Sequence, residues 1–174
     1  MTLPGQPGLL FWGSGAAAVV LRLTAQDSAM QEHRIETSVQ GRYLVRKPSG
    51  GGQVPLLAGF HGYGQTAEDE LALLGSIRGS DRWLLCSIEA LHPFYNTRGE
   101  AGSCWMTSRD RELRIAENIR FVDAVLDRIR ASCPAGGPLV LHGFSQGAGM
   151  ACRAALLGRH PSSALMLLGG DIPP

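Results

Sequence analysis

The stretch Leu139-Val140-Leu141-His142-Gly143-Phe144-Ser145-Gln146-Gly147-Ala148-Gly149-Met150-Ala151 decides how this chain is read. A short apolar run, Pro138 to Leu141, has the length and composition of a buried strand. Residues 146–157 form an apolar helix that opens on small side chains. Between them lies the pattern G-x-S-x-G, with Ser145 at its centre. By itself that pattern says little, because small residues cluster by chance. Flanked by a strand and a helix, it becomes a sharp strand-to-helix turn that lifts the serine into a strained conformation. Gly143 and Gly147 let the two elements approach without side-chain clash. The helix N-terminus presents its positive end to negative charge developing beside the serine. Ser145 is therefore the candidate nucleophile.

Upstream, short apolar runs alternate with helical patterns. Ile35–Val39 and Tyr43–Val45, separated by Gln40-Gly41, predict a small hairpin. Val54 to Phe60 predicts a buried strand that ends in the turn His61-Gly62-Tyr63-Gly64. Thr66-Ala67-Glu68-Asp69 carries a capping signature and opens a helix with Leu71, Leu74 and Ile77 on one face. Trp83–Ile88 is the next strand, and residues 90–108 read as a long loop. Ile115, Ile119, Val122, Leu126 and Ile129 then form an unbroken helical stripe, with charges on the other faces. Ala164–Leu168 closes the series as a further strand. Strands alternating with helices predict an α/β fold, a mostly parallel sheet with helices on both faces.

The turn at His61-Gly62-Tyr63-Gly64 supplies a second chemical element. Acyl transfer needs two backbone N–H donors on the carbonyl oxygen. In a strand–turn–helix architecture one comes from the residue after the serine, here Gln146, and the other from the loop after an early strand, here Tyr63. His61 stands beside this turn and is read as holding it by hydrogen bonds rather than as a base.

Composition narrows the function classes. The chain has 174 residues, 44% of them apolar and 18% charged, which suits one compact domain. Sixteen basic and fifteen acidic residues leave a formal charge of +1, so nothing electrostatic favours nucleic acid or an anionic membrane. Cys86, Cys104, Cys133 and Cys152 are scattered, without zinc-ligand spacing or the density of a disulfide scaffold. A reducing, cytoplasmic compartment fits this usage. Residues 1–29 lack the basic start of a signal peptide, and Gly13, Ser14, Gly15 and Arg22 interrupt their apolar runs, so no integral membrane span is expected. Patterned sequence begins after Met30. The expected organisation is a disordered or non-native leader over 1–29 and one domain over 30–174.

Three segments together carry a resemblance: Phe60-His61-Gly62-Tyr63-Gly64, Gly143-Phe144-Ser145-Gln146-Gly147 and Leu168-Gly169-Gly170. From about residue 33 to 174 the chain resembles the carboxylesterase/phospholipase/thioesterase family of serine α/β-hydrolases. The resemblance implies cleavage of small-molecule carboxylic esters with small or medium acyl groups, without metal or cofactor. It also implies substrate contacts from the loop that holds His92 and from Trp105.

In that fold the chain order is serine, acid, histidine. After Ser145 the only histidine is His160, at the far end of a twelve-residue helix and so about 18 Å away. Asp171 is the only acid after Ser145; it is expected to line the rim of the site rather than to act as the triad acid. His33 and His142 are read as structural. The pattern therefore stops short of the last strands of the fold, where acid and base are expected. Three accounts follow: an esterase truncated before its acid and histidine, a half-enzyme completed by another chain, and a non-catalytic scaffold. The first is preferred, since Tyr63, Ser145 and Gln146 are all intact. Ala164–Leu168 would be an unprotected apolar edge, which predicts self-association there.

Overall fold

The computed structural model describes residues 30–49, 52–133 and 135–173. The expected leader over 1–29 lies outside the described residues. The chain divides into two units, Met1–Thr37 and Ser38–Pro174. Within the first, residues 30–37 are exposed and carry no regular structure.

The second unit is built on a five-stranded sheet. Its strands are β1 (Tyr43–Arg46), β2 (Leu56–Phe60), β3 (Leu84–Ile88), β6 (Leu139–Phe144) and β7 (Ala164–Leu168), in the spatial order β1-β3-β2-β6-β7. β3, β2, β6 and β7 run parallel, and β1 joins the edge antiparallel to β3. The crossovers are α1 (Ala67–Ser76), α2 (Arg111–Ser132) and α3 (Gln146–Leu157). β4 (His92–Tyr95) and β5 (Ala101–Cys104) form a separate antiparallel hairpin.

Period-two alternation along the central strands sorts the core into two layers. Leu56, Ala58 and Phe60 face the side covered by α2 and α3, together with Val122, Leu126, Ile129, Met150 and Ala151. Leu57, Leu85 and Val140 face the other side, under Leu74 of α1. Because both faces are covered, β2 and β3 are buried along their whole length. Thr66 caps α1 with the reciprocal Thr66–Asp69 box expected from the sequence. The stripe of α2 faces the core, half-buried at Ile115 and Ile119 and buried from Val122 onward.

Two expectations are corrected. Ile35–Val39 forms no strand: Ile35 and Val39 are exposed, and β1 takes β3 as its partner instead. Alternation predicts a strand only where something covers one face. Gly41, the intended turn, packs against the ring of Phe121 on α2. Residues 90–108 are also not simply a loop, since they contain β4 and β5. Pro93 and Gly102 disguise those strands; Pro93 sits on β4, and Gly102 leaves room for the backbone of Gly64, which bonds the outer edge of β5.

β7 is exposed at every position, with Leu168 at 51%. Among the described residues nothing pairs with its outer edge.

Candidate active site at the β6–α3 turn

β6 delivers Ser145 to the carboxyl end of the sheet, and α3 begins at the next residue. Ser145 has φ 52° and ψ −116°, a conformation that non-glycine residues rarely adopt. Such a residue costs ~1–3 kcal/mol and persists only where its surroundings over-determine it. Here they do. The Ser145 amide donates to Leu168 O at 2.8 Å, and Ala148 N donates to Ser145 O at 3.0 Å.

Three glycines make the compression possible. A Cβ on Gly143 would stand 2.6 Å from Ala148 Cα, and one on Gly147 would stand 2.6 Å from His61 O. One on Gly170, just past β7, would stand 2.6 Å from Ala148 Cβ and against Ser145 O. The first two belong to the sequence motif. Gly170 belongs to the same cage although it lies far along the chain.

The close approach at Gly147 sets the start of α3 against the end of β2 and the 61–64 turn. Gly62 in that turn also lies against the ring of Phe144. The turn is pinned by Gly62 N to Gln65 Oε1 at 2.8 Å, Gly64 N to Ser103 O at 3.0 Å and Ser103 N to Gln65 O at 3.1 Å. Among the described residues the amides of Tyr63 and Gln146 have no acceptor. The Tyr63 ring is exposed and stacks on Phe94 with centroids 5.0 Å apart.

Trp105 ties the two donor segments together. Its backbone N donates to Gln146 Oε1 at 2.8 Å, and its indole Nε1 donates to His61 O at 3.0 Å. Asn118 on α2 donates from Nδ2 to Trp105 O at 2.8 Å, and Phe60 meets the indole edge-on. Trp105 is fully buried. The expected substrate contact through its side chain is thus corrected: the indole reaches no solvent, and it positions the site from beneath. No sequence period marks this role, because Trp105 follows a strand the sequence hides.

Three of the described histidines, His61, His142 and His160, are held by partners away from Ser145. His61 is buried, with Nδ1 2.7 Å from Gly62 O while Nε2 accepts from Ala90 N at 3.0 Å and lies 3.0 Å from Ser103 Oγ. Burial holds its pKa below the usual histidine value. His142 pairs through Nδ1 with Glu70 Oε1 at 2.6 Å, both buried. His160 sits 3.1 Å from Asp127, past the far end of α3. His92 is half-buried, and its Nε2 has no partner among the described residues; burial first, then the charge of Arg114, lowers its pKa. It does not line the cleft at Ser145. Asp171 does.

That cleft has a volume of about 450 Å³, and its lining includes Ser145, Gln146, Gly149, Asp171, Arg111 and Arg153. The two arginines were not singled out from the sequence. Arg153 could have been, because Gly149 and Arg153 stand four residues apart on one face of α3. Among the described residues no helix is long and apolar enough to cross a membrane.

Solved structures with this architecture are α/β-hydrolases. The chain is similar to esterase PE8, at 27% identity and a TM-score of 0.59, over 77% of this chain and 66% of that one. It is similar to acyl-protein thioesterase 2 of Zea mays, at 21% identity and 0.57, over 77% of this chain and 64% of that one. It is also similar to the Bacillus cereus carboxylesterase, at 17% identity and 0.56, over 77% and 62%. The chain spans about two thirds or less of the length of each. No protein-family model and no curated protein matches the sequence. The chain has the α/β-hydrolase fold.

Proposed function

We propose that this chain carries the nucleophile and oxyanion hole of a serine hydrolase of small-molecule carboxylic esters, of the carboxylesterase/phospholipase type. Ser145 Oγ attacks the ester carbonyl, and the Tyr63 and Gln146 amides receive the oxyanion. The alcohol leaves, and water then releases the acid from the acyl-serine. No metal or cofactor enters this scheme. The observation that carries it is the backbone of Ser145, held at φ 52° inside a cage of three glycines. Strain of this kind recurs where a nucleophile must be presented rather than packed.

The general base is the group this scheme lacks. The described histidines of the second unit are bonded in the core, paired with Glu70 or Asp127, or off the cleft. In this scheme the base and its acid are not among these side chains and are supplied from elsewhere, as by another chain. An oxyanion hole without them retains about 10³–10⁴-fold over water, so aryl-ester turnover by this chain alone is slow.

A fluorophosphonate probe read by peptide mass mapping tests the assignment. The expected adduct sits on Ser145 and disappears in Ser145→Ala. A second reading, a non-catalytic scaffold, is favoured by the positions of those histidines; absence of any adduct at Ser145 in any assembly would establish it in place of the first. The four free thiols suit the reducing, cytoplasmic setting expected for either reading.

A further inference from the structure

The Ser145 cleft holds two guanidinium groups that ester cleavage does not use. Arg153 is half-buried on α3, and among the described residues it has no hydrogen-bond or ion-pair partner. Its Nη1 lies 3.3 Å from where a Cβ on Gly149 would stand, so the side chain folds back along the helix toward Ser145. Gly149 keeps that shelf open. Arg111, the first residue of α2, lines the same end of the cleft. Its own pairing is with Glu112 at 3.0 Å, in an exposed contact that is worth little. Burial first, and Arg111 second, disfavour the charge on Arg153. A half-buried cation beside a like charge, offset only in part by Glu112, leaves room for an anion. Asp171 lines the cleft but is exposed and pairs with neither arginine.

We infer that the Arg153–Arg111 end of the cleft is a subsite for an anionic group of the substrate, a carboxylate or phosphate joined by a short spacer to the scissile ester. This inference rests on the reading of Ser145 as nucleophile. Gly149 stands one helical turn from Ser145, about 6 Å along the axis. A guanidinium above it therefore meets an anion only a short spacer away from a carbonyl held at Ser145. Planar guanidinium groups bind carboxylate and phosphate oxygens through paired, charge-assisted hydrogen bonds. Half-esters of short dicarboxylic acids fit, and so do esters of phosphorylated alcohols; neutral lipid esters leave both cations unmet.

Two measurements on the whole chain test this. The first compares Ser145 labelling by a carboxylate-bearing fluorophosphonate and by its uncharged isostere. The expected preference for the anionic probe is about tenfold, the factor that ~1.4 kcal/mol supplies. Arg153→Gln should bring the ratio close to one, while Arg153→Lys should keep part of it. The second titrates glutarate and inorganic phosphate into the chain by calorimetry, with circular dichroism checking that each variant is folded. Glutarate heat that vanishes in Arg153→Gln supports the subsite, and the relative response to phosphate identifies which anion it suits. Equal labelling by both probes, or glutarate binding unchanged in Arg153→Gln, overturns the subsite and leaves Ser145 as nucleophile. Arg153-dependent glutarate binding without any labelling keeps the subsite and removes the esterase reading.

Discussion

Replacing Ser145 with glycine should stabilise the second unit relative to replacing it with alanine. Both substitutions delete the hydroxyl, which makes no capping hydrogen bond at the start of α3. They differ in the backbone. Alanine keeps a Cβ in a conformation at φ 52° and ψ −116° that costs ~1–3 kcal/mol, whereas glycine enters it freely. Against this, glycine gives the unfolded chain more freedom, worth about 0.4–1 kcal/mol. The difference leaves Ser145→Gly ahead by about 1 kcal/mol. In a domain of this size that is a rise in midpoint of about 3–5 °C. Urea unfolding of the two variants side by side, followed by circular dichroism, reads it directly. The parent should match Ser145→Ala, since it carries the same strain. If Ser145→Ala equals or exceeds Ser145→Gly, the turn is not strained and the argument for a presented nucleophile fails with it.

Further expectations bear on the surroundings of that turn. Trp105→Phe removes the indole bond to His61 O and part of the packing against Phe60; we expect a loss of about 1–3 kcal/mol and slower labelling of Ser145, and unchanged labelling would show that the indole does not position the donors. Stability should fall on acidification: His61, whose folded pKa is lowered from 6.5 mainly by burial, stays neutral in the fold while the unfolded chain takes up a proton. That loss begins below pH 6.5 and runs down to the folded value, so a urea midpoint equal at pH 7.5 and 5.5 would contradict it. The paired Glu68, lowered to about 2 by Arg42, acts in a separate window, losing its contribution only as pH falls from 4.5 toward 2. The exposed apolar edge of β7 should make the chain associate at micromolar concentration, and Met166→Lys should reduce this; light scattering from a stable parent monomer would refute it.

The fold was most legible where pattern and burial coincide. The stripe from Ile115 to Ile129 and the box at Thr66 and Asp69 each name their element, because period and cap chemistry are local. Ser145 was legible for the same reason, with its strand, turn and helix contiguous in the chain. What stayed hidden depends on distant contacts. Ile35–Val39 has the alternation of a strand and no neighbour to cover it. Trp105 looks like a surface aromatic until Phe60, His61 and Asn118 of α2 enclose it in the core. Gly170 joins the site from beyond β7, through a chain crossing that no spacing in the sequence encodes.

Trp105 also bears on how the molecule breathes. Its backbone and indole fasten residues 61, 118 and 146, which lie far apart along the chain, to a single residue. None of these segments can loosen alone without breaking a bond to that residue. Their slowest hydrogen exchange should therefore occur in one shared opening, with the amides of Ser103, Gly64 and Ser145 protected to a common free energy. The β6–α3 turn would then inherit its rigidity from the residue that follows a hairpin outside the central sheet.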